Sequence, residues 1–398
     1  MDGAKRLALR REREARAPIF LQAAFRPFFL ASASWFLAAM LLWLAILSGV
    51  LTLPMHLGLV DWHRHELIFG AVGAAMTGYL LTATPNWSGR LPAIGLPLAA
   101  MILWWGLARA NNAIAVFASP WPAALIDAGF FLGLTTVIGR EALHGKGRGA
   151  ANVMMAGMFA IACGLDHLAS AGEIAFHTAA DKAGIAVLVV LVSLIGGRLI
   201  PSFTRNALPR ADRSKVTAQG TRFDTLVNIT TALACLLWVA GISGFGIAGL
   251  VLASLFQLMR AIRWRPWRIA HEPSVLALHL AYAWLPIGLL ALAFAEQDRQ
   301  SDMLHLLTAG AISSMVLAVM ARMTMTQTGR VVRWRSATVF AVTLVSAGAL
   351  VRVFAGSIFV SAQFGWLLAA TLWMLGFVVF LMSFGPMLLR PRVRRGAA

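Results

Sequence analysis

The sequence predicts an all-α fold, a polytopic membrane helical bundle of about twelve transmembrane helices, and three observations carry that prediction. Of 398 residues, 59% are hydrophobic and only 13% charged, with a mean hydropathy of +0.76, which is too apolar for a domain that has water as its main solvent. The apolar residues come in continuous runs of about 20, the length a helix needs to cross a hydrocarbon core roughly 30 Å thick. The ten-residue alternations of a membrane barrel do not occur. The formal charge of +18 lies in short loops between these runs. The positive-inside rule accounts for such charge without a nucleic-acid partner.

The elements follow in order. Residues 1–27 form a basic cytoplasmic tail carrying Lys5, Arg6, Arg10, Arg11, Arg13 and Arg16; the apolar stretch behind it is too long for a signal peptide and ends without a small-residue cleavage site. The twelve-helix domain covers 28–385, with spans at 28–50, 63–84, 92–109, 120–139, 150–170, 176–199, 223–242, 245–262, 274–295, 303–325, 335–355 and 361–385. Residues 386–398 are a second basic cytoplasmic tail. With both termini inside, all Lys and Arg fall on the cytoplasmic side except Arg64, Arg109, Lys182, Arg299 and Arg352. That bias orients the chain in a cytoplasmic membrane. Ser88-Gly89-Arg90, Gly196-Gly197-Arg198 and Thr328-Gly329-Arg330 close the second, sixth and tenth spans, a spacing that suggests three four-helix pseudo-repeats; Gly-Arg is also an ordinary helix stop.

Candidate chemistry centres on histidine. Nine occur, and His56, His63, His65, His167, His177 and His305 gather at the outer ends of spans or in outer loops. Imidazole is a common ligand of redox metals. Asp61-Trp62-His63-Arg64-His65-Glu66 opens the second span. On a regular helix His63 shares a face with Glu66, Gly70, Gly73 and Thr77, a small and polar stripe that admits a flat macrocycle or another helix, while His65 faces Phe69 and Val72. His305 opens the tenth span ahead of Thr308, Gly310, Ser313 and Ser314. Two imidazoles from these spans clamping one haem iron make a simple membrane haem b, with Glu66 as a further metal-ligand candidate. An interfacial cap at the first cluster and a histidine bonded to a neighbouring helix at the second are the plain alternatives. His279 lies inside the ninth span, where an ionisable group is functional by default. Asp127 and Asp166 are read as structural partners of Arg109 and His167. Met303, Met315, Met320, Met323 and Met325 offer thioethers for Cu(I) and fit lipid-facing packing equally. Cys163 and Cys235 sit inside apolar runs and are read as packed core residues.

Several segments together resemble the NnrS family of bacterial membrane proteins. They are Phe25-Arg26-Pro27-Phe28-Phe29; Trp62-His63-Arg64-His65-Glu66 with Phe69-Gly70; Gly78 to Arg90, containing Pro85-Asn86-Trp87; Arg198-Leu199-Ile200-Pro201-Ser202-Phe203-Thr204-Arg205-Asn206; the His279 segment; and His305 leading to Thr328-Gly329-Arg330. The resemblance implies a haem- and copper-containing inner-membrane protein of bacteria that acts in the nitric oxide response and protects against nitrosative stress, in cells that make or meet nitric oxide, as denitrifying bacteria do. Relatives carry a histidine before the last Thr-Gly-Arg, where this chain has Gln327. That departure alters one site if the histidine binds metal in them. The chain also looks like a distant echo of haem-copper oxidase subunit I. The sixth and seventh spans lack the histidines that would hold copper beside an oxygen-reducing haem, so no oxidase activity is expected.

The reading is a haem held by His63 or His65 with His305, with His279 as a further ligand, in a protein that binds, senses or turns over nitric oxide as a haem-dependent oxidoreductase would, with an electron donor or reductase partner left unidentified. The rival reading is a transporter of a metal, haem or small anion, in which His279, Asn86, Arg198 and Gln327 line a cytoplasmic vestibule; Arg330 is a further candidate site residue.

Overall fold

The computed structural model describes residues 3–88, 91–115, 119–144, 149–175, 177–359 and 361–393. Among them every regular element is helical. The basic tail contains α1 (Gly3–Arg16), and α2 follows as Phe25–Leu47. The third helix, α3, runs through three segments, Leu59–His65, Glu66–Val72 and Gly73–Ser88, of which the middle one is π-helix. Next come α4 (Leu96–Ile114), α5 (Pro120–His144), α6 (Ala150–Ser170) and α7 (His177–Ala207). Then follow α8 (Arg222–Val239), α9 (Ser243–Arg263) and α10 (Pro273–Ala293). The helix α11 again has a π segment, Leu306–Ser313, between Gln300–His305 and Ser314–Thr328. The chain ends with α12 (Ala337–Ile358) and α13 (Ala362–Leu388).

All twelve expected segments, α2 to α13, are helices. Eleven are long and apolar enough to cross a membrane, which makes this a multi-pass membrane protein. The twelfth, α4, is interrupted by Arg109, Asn111 and Asn112, all of them buried. Its polarity is spent inside the protein and not against lipid.

The helices group into two compact units: residues 1–184, 324–330 and 384–398 in the first, and 185–323 with 331–383 in the second. Of the Gly-Arg endings, Thr328-Gly329-Arg330 falls at a boundary between them, and Gly89-Arg90 lie outside the described residues. In the first unit α2 packs on α3, and α5 forms an antiparallel pair with α6. Its core is aromatic. Phe69 and Phe159 have ring centroids 4.8 Å apart, Phe131 and Phe159 4.9 Å, and Phe130 and Phe131 5.0 Å. Burying an aromatic ring is worth about 1.5–3 kcal/mol, so this cluster is the apolar frame that holds α3 against α5 and α6. In the second unit α9 packs on both α8 and α10, and α10 packs on the π segment of α11 and on α12.

The two π segments are matched. Each begins immediately after a histidine, His65 or His305, and these lie 240 residues apart, as do Gly70 and Gly310, and Ala71 and Ala311. In each unit the glycine of the segment lies against a tryptophan of the preceding span, Gly70 against Trp35 and Gly310 against Trp284.

Candidate metal centre

The first unit holds a polar cluster sealed by that aromatic frame. The π segment of α3 makes the local geometry, its wider turn bonding i to i+5. Its Gly70 carbonyl accepts from the Gly73 N–H and also from Trp105 Nε1 at 3.1 Å. A Cβ on Gly70 would stand 2.7 Å from Trp35 Nε1 and 2.8 Å from Glu66 Oε2. The close approach of α2 to α3 therefore requires glycine there.

His65 is completely buried. Its Nδ1 lies 2.7 Å from Asp166 Oδ2 and its Nε2 2.8 Å from Asp127 Oδ2. Ionised carboxylates only accept, so in this arrangement both ring nitrogens donate and the ring is an imidazolium. Asp127 Oδ2 also accepts from Asn112 Nδ2 at 3.0 Å and lies 3.3 Å from His167 Nε2, while its other oxygen pairs with Arg109. Glu66 is bound on every side: Oε1 accepts from Arg109 Nη1 and Asn112 Nδ2, both at 2.9 Å, and Oε2 from Trp35 Nε1 at 2.6 Å. Arg64 carries the network toward the rim through Asp166 at 2.7 Å, Asp181 at 2.9 Å and Asp61 at 3.0 Å.

Three buried carboxylates, Glu66, Asp127 and Asp166, thus meet two guanidiniums, Arg64 and Arg109. The site needs one more positive charge, since burying an unpaired carboxylate in low dielectric costs several kcal/mol. A proton on His65 supplies it in the arrangement described, and a metal cation is the other way to supply it. The donors for one are in place. A nitrogen each from His65 and His167, Cys163 Sγ and an Asp127 oxygen lie within 4.8 Å of one another, all buried. The His65 and His167 rings stand edge to face, with centroids 4.3 Å apart.

The structure distributes the expected site residues as follows. His65 faces Phe69, as the periodicity predicts, with ring centroids 4.9 Å apart, and Glu66 shares a face with Gly70. His63 lies against Trp43, 4.3 Å between ring centroids. In the second unit, His305 Nδ1 donates to the Ser301 carbonyl at 2.7 Å, which leaves Nε2 as the lone-pair nitrogen. His279 is buried, its Nε2 2.8 Å from Thr204 Oγ1. The side chain of Asn86 lies outside the described residues. Arg198 is exposed on α7 and Gln327 is partly buried at the end of α11. Arg330 donates to the Pro391 carbonyl at 2.9 Å, and Arg26 to the Leu388 and Arg390 carbonyls at 2.6 and 2.8 Å. The Phe-Arg-Pro and Thr-Gly-Arg motifs therefore bind the C-terminal segment. Asp127 pairs with Arg109 as expected, but Asp166 pairs with Arg64 and His65 and not with His167.

Sequence reasoning missed Cys163 and His167 as members of one donor set. Cys163 is buried as expected, but among ligand atoms as well as apolar ones. The only signal was that Cys163, Asp166 and His167 fall on neighbouring turns of one span.

A search of curated proteins returns no match to the chain. A family model described as NnrS protein matches residues 19–392, nearly the whole sequence, and the chain belongs to that family.

Proposed function

We propose that this multi-pass membrane protein acts in the nitric oxide response by holding copper in the His65, Asp127, Cys163 and His167 group and a b-type haem on His305. The observation that carries the reading is the buried four-donor group with its atoms within 4.8 Å; family membership supports the nitric oxide role. Two imidazoles and a sulfur are a donor set that suits copper. The charge left over by Glu66, Asp127 and Asp166 against Arg64 and Arg109 favours a cation. Asp166, bonded to His65 Nδ1, would orient that ring toward a metal on its other nitrogen, the usual arrangement behind a ligating histidine. Arg109 and Asn112 hold Asp127 in place by the same logic.

His305 fits an axial ligand because its Nδ1–H is already given to a main-chain carbonyl, which fixes the tautomer and leaves the Nε2 lone pair for a metal. His65 fits less well, since its Nε2 faces Asp127 within the four-donor group. Copper would supply one-electron redox chemistry and haem iron a site for nitric oxide. The chain's own part is to bind, orient and keep water out. Nitric oxide is small and apolar, so it reaches such sites through the bilayer.

The test is metal analysis by mass spectrometry and an absorption spectrum, oxidised and dithionite-reduced, on the detergent-purified full chain. Copper is expected in wild type and lost in Cys163→Ser and His167→Ala, with the haem bands retained. His305→Ala is expected to lose the Soret band and keep copper, and His63→Ala and His279→Ala identify the second axial ligand. Copper unchanged in Cys163→Ser and His167→Ala overturns the copper assignment. A colourless, metal-free wild type from haem-sufficient cells overturns the whole reading and puts transport first.

A further inference from the structure

Among the described residues, the second unit contains a buried cation whose hydrogen-bond partners are all neutral. Arg260, on the last turn of α9, is 1% exposed inside a helix apolar enough to cross the membrane. Its partners are all neutral. Nη1 donates to Asn228 Oδ1 at 3.1 Å; Nη2 has Gln257 Oε1 at 2.8 Å, the Ser193 carbonyl and Ser193 Oγ at 2.9 Å each, and the Tyr282 hydroxyl within reach. The rings of Trp264 and Tyr282 each lie 5.5 Å from the guanidinium carbon. Among the described residues no carboxylate pairs with it. Asp224, the acidic residue of α8, caps that helix through Oδ2, which accepts from the Thr221 N–H and hydroxyl at 2.8 Å each, and its charge also acts on Tyr282.

The contrast with the first unit is direct, because Arg109, equally buried, is placed between Asp127 and Glu66. Neutral dipoles solvate a guanidinium but do not neutralise it, and at the last turn of α9 this one is buried within the protein instead of reaching the cytoplasmic surface. Two details point to a ligand. Arg260 Nε is buried and has no hydrogen-bond partner. Nη2 has four acceptors for its two hydrogens, so some of that shell is replaceable. The socket is also built for the guanidinium: a Cβ on Gly197 would stand 2.8 Å from Nη1.

We infer that Arg260 is the anchor of a binding site for a small, planar, monovalent oxyanion. The planar fork of a guanidinium matches two oxygens of such a group, the Asn228 amide supplies a further donor, and the flanking rings limit its size. The same chemistry is offered by a free anion such as nitrite or formate and by the carboxylate arm of a larger bound group.

Titration calorimetry of the purified full chain with formate and with nitrite, together with absorbance per protein, separates these sources. Wild type is expected to bind formate, and Arg260→Gln to bind it at least tenfold more weakly. Asn228→Asp provides the decisive variant, because it places a carboxylate beside Arg260: formate binding is expected to be lost while the thermal midpoint stays at or above that of wild type. Loss of pigment in Arg260→Gln and Asn228→Asp, without formate binding by wild type, assigns the anion to a bound group. Formate binding by Asn228→Asp equal to wild type overturns the proposal. So does the absence of anion binding in wild type combined with unchanged pigment in both variants. None of these results bears on copper in the first unit.

Discussion

At the scale of single residues, the chemistry of the first unit depends on paired charges. Arg109 neutralises parts of two carboxylates, Asp127 and Glu66, where water cannot. Replacing one member of a buried ion pair leaves the other uncompensated and costs about 3–5 kcal/mol. Arg109→Met is therefore expected to lower the thermal unfolding midpoint of the detergent-solubilised protein sharply, and a midpoint within a degree or two of wild type would contradict the pairing. Gly70→Ala should also destabilise, by about 1–3 kcal/mol as overpacking does, because its Cβ would meet Trp35 Nε1 at 2.7 Å; the expected readout is a lowered midpoint with unchanged helical content. Little of this site was legible beforehand. His65 and Glu66 stand out as ionisable groups at the start of an apolar run, but their partners are 31 to 101 residues away in the chain. No spacing rule reaches that far, and Cys163 carries no local mark that separates a ligand from a packed thiol.

At the scale of elements, two features decide where side chains point. The π segments follow His65 and His305, and each changes the rotation between the turns before and after it. Inserting an alanine after Gly73, where the helix is again regular, would rotate residues 59–73 by about 100° relative to 74–88. Helical content by circular dichroism should then be nearly unchanged while copper is lost; retention of copper would show that the facing of α3 is not what places His65. A regular-helix projection of the sequence cannot contain this feature, since it assumes one constant period. The second feature is ordinary and local. Thr221 and Asp224 form a reciprocal capping box at the start of α8, and Thr221→Ala is expected to cost about 1 kcal/mol, seen as a modest fall in the midpoint. The pattern Thr-Arg-Phe-Asp before an apolar run is readable from sequence because both partners lie within one turn.

At the scale of the whole molecule, the charge bias and the apolar runs agree on topology, and the exceptions to the bias are informative. Of the five cations expected outside, Arg64 and Arg109 belong to the buried cluster, and Arg299 and Arg352 both pair with Asp302, at 3.1 and 2.6 Å. Cations used in ion pairs escape the positive-inside rule because they are neutralised within the protein. Fluorescent-protein fusions at both termini are expected to be bright, and an alkaline phosphatase fusion in the loop after α2 to be active; the opposite pattern would invert the orientation. The sequence by itself determined that the chain spans the membrane, where its twelve helices lie and to which family it is similar, because apolar length, charge bias and contiguous motifs are properties of neighbouring residues. Only the tertiary structure decided that His65 joins Asp127, Cys163 and His167, that Arg109 makes α4 polar for a reason, and that no carboxylate among the described residues pairs with Arg260. Those facts depend on which helices touch, and contacts between distant segments are set by packing and charge pairing that no local pattern encodes.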